Sequence, residues 1–184
     1  VLVTPDAERS MFTYLGAATR LTAEDIDENI IKASRYVYLE GYLWDEAHAK
    51  EAVLKACELA HKYNRKIAFT LSDCNCIIRH REDLLKLVTD CVDVLFANEN
   101  EIKALFNTDD FMAALDMIKP LVEIAAITRN AKGSVVVNGR VKIFVEAEKM
   151  DNVVDSTGAG DLYAAGFLYG MTKDRSLGTC AMIG

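Results

Sequence analysis

The sequence has 184 residues, of which 51% are apolar and 27% charged, and its formal net charge is −7. A chain of this length can bury one substantial core. The negative charge argues against binding to nucleic acid or to an anionic membrane surface, because both need a basic face. No apolar run approaches the length of a transmembrane helix. Phosphate ligands remain compatible, since backbone amides and a metal ion can hold them.

The five cysteines are an odd number and form no C-x-x-C pair, so we expect free thiols and a reducing, cytoplasmic setting. Cys74 and Cys76 lack a second ligand pair at a recognisable spacing, which favours free thiols over a metal site. The three histidines lie among charged residues on predicted helices, and we expect them at the surface. The chain begins with Val1 and ends in a helix-like segment, so we expect a piece truncated at both ends.

The first predicted elements are two short β runs, 1–4 and 10–15, which we expect to pair as an antiparallel hairpin. Short β-rich runs then alternate with longer helical runs, which predicts an α/β sheet whose crossovers are right-handed. The predicted strands are 35–41, 66–72, 92–98 and 124–129, and the predicted helices are 45–64, 80–91, 100–106 and 110–123.

The alternation of β and helical runs ends in 133–145, where two β runs surround Asn138-Gly139, a strong hairpin signal. The prediction is therefore an α/β fold with a mostly parallel sheet, helices on both faces and an antiparallel C-terminal hairpin. We divide it into a partial lid-type β hairpin over 1–20 and an α/β core over 21–184. In such sheets ligands bind beyond the carboxyl ends of the strands.

The stretch "VVDSTGAGDLYAAGFLYG" carries the most chemical information. Thr157 is predicted to cap the following helix. Gly158 and Gly160 lack a Cβ, so a ligand can approach the backbone, and free amides with the helix dipole favour an anion. Asp161 is placed to take a proton from an attacking hydroxyl. From these residues alone, a capped helix start with packing glycines is an equal alternative.

The helix after this turn is apolar nearly all round, which predicts burial. Its small residues should allow close packing against the sheet. A dinucleotide fingerprint would need Gly or Ala at position 163, which is Tyr163, and no P-loop motif occurs.

Several motifs follow one another along the chain: "ERSMFTYLGAA", "YLEGYLW", "TLSD", "FANENEIKALF", "TRNAKGSVVV" and "DSTGAGD". With these motifs in this order, the sequence resembles the ribokinase-like (PfkB) family of carbohydrate and nucleoside kinases over essentially its whole length, and most of all the bacterial adenosine-kinase-like branch. The resemblance implies transfer of the γ-phosphate of ATP to a primary hydroxyl, with Mg²⁺ and, in some members, K⁺. It leaves open a homodimer formed through lid strands.

The resemblance assigns roles around the glycine-acid turn. Asp161 corresponds to the catalytic base. The amides of Gly158, Ala159 and Gly160 correspond to an anion hole for the migrating phosphoryl group. Arg9 lies where related nucleoside kinases have an arginine that closes over the phosphate. From its local sequence, Arg9 is equally compatible with a solvent-facing charge in a hairpin turn.

Asn98 and Glu101 match the family's N-x-x-E motif, which implies that they organise Mg²⁺ and the phosphates through water. The same two residues are also compatible with a helix cap, and both readings can hold together. We expect Glu99 to be solvated.

The nucleotide loop T-x-G-x-x-G is matched by Thr128 and Gly133, with Asn130 in place of the middle glycine. Asn tolerates the left-handed backbone conformation better than most residues. Asp155 and Thr157 resemble positions near a monovalent-cation site in some members.

The acceptor is a nucleoside such as adenosine or a sugar. Many adenosine-kinase-like sequences carry an aromatic residue after "SD", where this one has Cys74 and Asn75. A non-catalytic domain that binds a nucleotide or phosphate for regulation is the alternative function. The presence of Asp161, Asn98 and Glu101 favours the enzyme.

Overall fold

The computed structural model describes residues 1–4, 9–150 and 153–184, and of Arg9 it describes only the backbone. Near the start of the chain, β1 (Leu2–Val3) pairs antiparallel with β2 (Arg9–Ser10) in a separate two-stranded sheet. The predicted antiparallel pairing is confirmed, but it is shorter than predicted, because residues 11–15 are irregular.

The main sheet has six strands in the order of the chain. Its first four strands are parallel, and the last two are antiparallel to their neighbours, which confirms the predicted mixed sheet. A two-residue turn at Gly139 and Arg140 closes the final hairpin. The strands are β3 (Tyr36–Glu40), β4 (Lys66–Thr70), β5 (Val94–Asn98), β6 (Ile124–Thr128), β7 (Ser134–Asn138) and β8 (Val141–Val145).

The described part of the chain contains seven α-helices and four short 3₁₀ helices. None of these helices is both long and apolar enough to span a membrane. The α-helices are α1 (Glu28–Ala33), α2 (Ala47–Lys62), α3 (Cys74–Cys91), α4 (Glu99–Phe106), α5 (Phe111–Ile118), α6 (Ala159–Thr172) and α7 (Leu177–Ile183). The 3₁₀ helices are Gly16–Arg20, Ala23–Asp25, Gly41–Asp45 and Asn130–Lys132.

Alternation along the strands divides the core between the two faces of the sheet. In β4, Ile67 and Phe69 pack into the cluster that includes residues of α1 to α5. Between them, Ala68 packs with Phe96 and residues of α6 and α7 on the other face. Helices therefore cover both faces, as predicted.

α3 begins earlier than the predicted helix over 80–91. The Asp73 carboxylate caps it by accepting a hydrogen bond from the Cys76 amide at 2.8 Å. At His80 the backbone leaves helical geometry (φ −124°, ψ 26°), so the predicted start coincides with a kink. α5 ends at Ile118, shortly before Pro120. Lys119 still has helical dihedrals (φ −50°, ψ −42°), but Pro120 has no backbone N–H to continue the helical hydrogen bonds.

The predicted cap at Thr157 is wrong. Gly158 occupies the cap position of α6 with φ +78°, a left-handed conformation that glycine adopts without a Cβ penalty. The Thr157 amide donates to Asp155 Oδ1 at 2.8 Å. The turn before α6 is thus shaped by glycine geometry and an aspartate, and no side chain caps the helix.

α6 is also not buried all round, because Leu162 and Tyr169 are 72% and 59% exposed. Two of its glycines, Gly166 and Gly170, serve contact with α7 rather than with the sheet. A Cβ on Gly166 would lie 2.6 Å from the Ile183 carbonyl oxygen, and one on Gly170 would lie 2.9 Å from Cys180 Sγ. α7 therefore packs closely against the second half of α6.

Candidate active site

Polar side chains end the four parallel strands at one edge of the sheet. Glu40 of β3 is in register with Thr70 of β4, and Asn98 of β5 is in register with Thr128 of β6. Neighbouring strands lie about 4.8 Å apart. Because ligands of open α/β sheets bind beyond the carboxyl ends, this edge is the candidate active site.

Asn98 and Glu101 form a reciprocal capping box at the start of α4. Asn98 Oδ1 accepts a hydrogen bond from the Glu101 amide at 2.9 Å. Glu101 Oε2 accepts from the Asn98 amide at 2.9 Å, and Glu101 Oε1 accepts from Asn98 Nδ2 at 2.7 Å. The cap foreseen from the sequence is confirmed, and it fixes a carboxylate that is only 7% exposed.

Burial raises the pKa of Glu101, the nearby Asp73 carboxylate raises it further, and the Asn98 amide opposes the rise. Two neighbouring acids at one strand edge suit a divalent cation. Each Glu101 oxygen still has a second acceptor direction for a metal-bound water. The role of Asp73 is missing from the sequence predictions, where its only signal was a carboxylate directly after a buried strand.

A cleft of about 340 Å³ opens between the start of α4 and the loop after β6. It contains three residues predicted for nucleotide or Mg²⁺ contact or loop geometry: Asn98, Thr128 and Asn130. Asn130 has φ +51°, so it adopts the left-handed backbone expected of it. The lining residues are Asn98, Glu99, Asn100, Thr128, Arg129, Asn130, Ala131 and Lys132.

Glu99, predicted to be solvated, is partly exposed and ion-paired. Its Oε2 accepts a hydrogen bond from Arg129 Nε at 2.9 Å, and the two side chains are 25% and 21% exposed. The Arg129 guanidinium also lies 4.3 Å from the centre of the Phe111 ring. This ion pair joins the two walls of the cleft, and the positive charge of Arg129 lowers the pKa of Glu99.

Gly133, predicted for the nucleotide loop, lies at the end of the turn after β6 rather than on the lining of the cleft. It has φ +81°, and a Cβ there would come within 1.9 Å of the Val145 carbonyl oxygen. The loop therefore closes tightly onto β8, which makes glycine a steric requirement at this position.

Asp161 lies in the first turn of α6 and is exposed. An aromatic chain seats this helix on the sheet. The Phe167 ring packs edge-on against Phe96 at 5.5 Å, and Phe96 packs against Tyr38 at 6.5 Å. The helix is thus anchored to the same strands whose carboxyl ends form the site.

The charge of Asp161 reaches two groups on β3. Burial raises the pKa of Glu40, and the negative charge of Asp161 raises it further. Burial, followed by the charges of Glu40 and Asp161, raises the pKa of Tyr38 to about 12. Glu40 and Tyr38 therefore share the surroundings of Asp161, although they are separated from it by more than a hundred residues. No sequence pattern pointed to Glu40.

The three predicted anion-hole amides differ in their availability. The Ala159 amide donates to the Ser156 carbonyl oxygen at 3.2 Å. The amides of Gly158 and Gly160 have no hydrogen-bond partner within the described ranges. At Gly160 nothing lies within 4 Å of the position of a Cβ, so its backbone borders open space. Two of the three donors are thus free in this state.

Arg9, Asp155 and Thr157 are the remaining residues that the sequence predicts for the site. The side chain of Arg9 lies outside the described part of the chain. Asp155 and Thr157 are exposed and are joined by the hydrogen bond that shapes the turn before α6. The structure brings Asn98 and Thr128 to one cleft, and buried Glu101 is hydrogen-bonded to Asn98 at its margin.

Comparison with known proteins agrees with this geometry. The family described as pfkB family carbohydrate kinase matches residues 1–184. The crystal structure of adenosine kinase from Sinorhizobium meliloti superposes with a TM-score of 0.96 at 47% identity, over 98% of this chain and 56% of that chain. A "probable sugar kinase protein" from Rhizobium etli superposes with a TM-score of 0.95 at 46% identity, over 98% and 55%.

A curated relative at lower sequence identity is also named as an adenosine kinase. Adenosine kinase of Saccharomyces cerevisiae is 30% identical over 191 residues, which cover 96% of this chain and 55% of that protein. The chain thus spans about half the length of the relatives it matches.

Proposed function

The chain belongs to the pfkB family of carbohydrate kinases, and we propose that it carries the nucleotide site and the catalytic base of an ATP-dependent phosphotransferase. The enzyme moves the γ-phosphate of ATP to a primary hydroxyl of an adenosine-like nucleoside or a sugar. The observation that carries this proposal is the position of Asp161. Its charge reaches Glu40 at the same strand edge where Asn98 and Thr128 border an open cleft.

ATP lies in the cleft between α4 and the loop after β6. Thr128 and the turn that Gly133 closes hold the nucleotide, and Lys132 lies on the same wall. Glu101 and Asn98 hold Mg²⁺ through water, and Asp73 adds a second negative charge beside Glu101. When bound, Mg²⁺ neutralises charge on the phosphates.

Asp161 acts as the general base toward the acceptor hydroxyl. A carboxylate is a weak base for an alcohol, with a reference pKa of about 3.9. It accepts the proton late, in a loose transition state where the phosphoryl group is already leaving. General-base assistance of this kind contributes roughly 10²–10⁴-fold.

The amides of Gly158 and Gly160 stabilise the migrating phosphoryl group. The Ala159 amide joins them only when its bond to Ser156 opens. The family pattern adds three proposals beyond this turn. Residues 1–20 form part of a lid, Arg9 stabilises the developing charge, and Asp155 with Thr157 borders a monovalent-cation site.

The acceptor lies on the β3 side of Asp161. Glu40 offers a carboxylate for sugar hydroxyls there, and Tyr38 offers a partly exposed ring, 36% accessible, for a base or a sugar face. Both a nucleoside and a sugar present the primary hydroxyl that the mechanism needs. The relatives named as adenosine kinase and as a sugar kinase support the same two classes.

An acceptor screen with the full-length protein tests this proposal. ADP release is measured with Mg²⁺·ATP against adenosine, other nucleosides, ribose and hexoses. We expect acceptor-dependent turnover with one of these classes, and a phosphomonoester product visible by ³¹P NMR. Tight ATP binding without turnover on any acceptor would support the regulatory nucleotide-binding domain instead.

A further inference from the structure

A cluster of three metal-ligating side chains lies outside the cleft and outside the turn before α6. One carboxylate oxygen of Asp45, Cys76 Sγ and one imidazole nitrogen of His80 all lie within 4.8 Å of one another. We propose that these three side chains form a binding site for a divalent transition-metal ion of the zinc class. This proposal does not depend on the proposed kinase activity.

The fold brings these residues together from two elements. Cys76 and His80 are four residues apart on α3, so both project from one face, as paired helical metal ligands do. Asp45 ends the 3₁₀ helix Gly41–Asp45, which packs against α3. The cluster therefore joins the segment after β3 to the helix after β4.

Local geometry directs the three side chains toward one point. His80 Nε2 lies 2.8 Å from Asp45 Oδ1. The Cys76 thiol is buried, at 1% exposure, and donates to the Gly41 carbonyl oxygen at 3.4 Å. The kink at His80 departs from helical dihedrals within this cluster. His80 is thus partly exposed, near the surface position predicted for it, and it has Asp45 as a partner.

The donor set identifies the class of metal. A thiolate, an imidazole and a carboxylate together suit Zn²⁺ and Co²⁺, whereas Mg²⁺ and Ca²⁺ prefer oxygen ligands alone. Three protein ligands leave one position of a tetrahedral shell for water. Binding replaces the S–H bond of Cys76 by a metal–sulfur bond, and the thiol proton passes to solvent.

Arg79 competes with the metal for Asp45. Its Nε donates to Asp45 Oδ1 at 3.1 Å, and a terminal nitrogen donates to Oδ2 at 2.5 Å. A guanidinium beside the site repels a dication, so the native affinity is limited by this ion pair. Replacing Arg79 by a neutral residue should free Asp45 and tighten metal binding.

Cobalt absorption spectroscopy on the full-length protein, stripped with chelator and kept reduced, tests the site. Titration with Co²⁺ should give a near-ultraviolet thiolate-to-cobalt band that saturates at one equivalent and is bleached by Zn²⁺. Cys76→Ser should abolish this band. The matched control is Cys74→Ser, a half-buried thiol two residues away, which should retain it.

Two exposed positions keep the test decisive if Cys76→Ser fails to fold. Asp45→Asn should weaken Co²⁺ binding by more than the roughly 10–100-fold that loss of an outer-shell partner costs. Arg79→Gln should tighten it, and circular dichroism should confirm that both variants are folded. The proposal is overturned if no thiolate band forms, if Cys76→Ser keeps the band, or if Asp45→Asn binds Co²⁺ like the wild type.

Discussion

Glu99 and Arg129 are joined by a 2.9 Å hydrogen-bonded ion pair that spans the cleft from the start of α4 to the loop after β6. Because Phe111 supports the guanidinium from one side, the pair holds its geometry at low exposure. It orders the two segments between which we place ATP. The nucleotide then binds walls that are already positioned, which lowers the cost of binding.

Removal of this pair should loosen the cleft. A partly buried, charge-assisted hydrogen bond contributes about 1.5 kcal/mol. In Glu99→Ala the cleft is less ordered, and ATP binding has to supply the lost order at a similar cost. The KM for ATP should therefore rise about tenfold, while kcat stays nearly constant. Steady-state kinetics at saturating acceptor measure both constants.

A double-mutant cycle over Glu99→Ala and Arg129→Ala separates the pair from its surroundings. The control cycle uses Lys55 and Glu58, an exposed pair at 3.0 Å on α2. We expect coupling of about 1.5 kcal/mol for the cleft pair and about 0.3–0.5 kcal/mol for the control. Equal coupling in both cycles would contradict the role of the cleft pair.

Gly133 should be far less replaceable than Gly139, although both have positive φ. In Gly133→Ala the new methyl meets the Val145 carbonyl, which adds an overpacking cost of about 1–3 kcal/mol. The backbone there (φ +81°, ψ −137°) is also one that essentially only glycine adopts. Gly139 has nothing within 4 Å, so Gly139→Ala should cost only the positive-φ penalty of about 1–2 kcal/mol. Urea denaturation compares the two free energies of unfolding, and an equal loss would refute the steric argument.

Asn98 should couple helix stability to the use of nucleotide. Asn98→Ala removes the cap and the Nδ2 donor to Glu101, so the free energy of unfolding should fall by at least about 1 kcal/mol, and the Mg²⁺ requirement should rise. The matched control is Asp110→Ala, which removes the cap of α5 outside the cleft. It should lose similar stability and keep the Mg²⁺ dependence. Should both variants shift that dependence alike, the cap would have no specific role.

The proximity of Asp161 to Glu40 predicts a pH effect. Burial and the charge of Asp161 both raise the pKa of Glu40, so Asp161→Asn should lower it. A raised folded-state pKa gives stability that is present below the ordinary carboxyl pKa and lost as pH rises through the folded value. The variant should therefore lose less stability on passing from acidic to neutral pH.

Carbon-13 NMR titration of the Glu40 carboxyl measures this shift directly. Asp155→Asn, in the same turn, is the control and should leave the titration unchanged, because among the described residues Asp161 supplies the charge that raises the pKa of Glu40 beyond the effect of burial. An unchanged pKa of Glu40 in Asp161→Asn would show that the two carboxylates do not interact.

The sheet was predictable because its four central strands are mostly buried apolar runs. The hairpin was predictable because Asn138-Gly139 is a strong local signal. The start of α3 was not predictable, because "CNCII" has no helical period and Asp73 alone is too weak a signal for a helix cap. The predicted cap at Thr157 was wrong because the left-handed conformation of Gly158, which starts α6, is determined by the backbone of the turn and not by a side-chain preference.

Within the site, the family resemblance pointed to Asn98, Glu101 and Thr128 through short motifs, and the capping box of Asn98 with Glu101 depends only on residues nearby in the chain. Contacts between residues far apart in the chain could not be predicted from the sequence. The ion pair of Glu99 with Arg129 and the influence of Asp161 on Glu40 arise only when the strand order brings distant segments together. Sequence patterns indicate single elements, whereas these contacts depend on the tertiary arrangement.

The most direct measurement is a single-turnover rate of phosphoryl transfer for Asp161→Asn beside the wild type, with ATP affinity measured on the same samples. If Asp161 accepts the acceptor proton, the rate should fall roughly 10²–10⁴-fold, while the Kd for ATP changes by less than about twofold, because the cleft is formed by other residues. An unchanged transfer rate at full occupancy would contradict the assignment of Asp161 as the base.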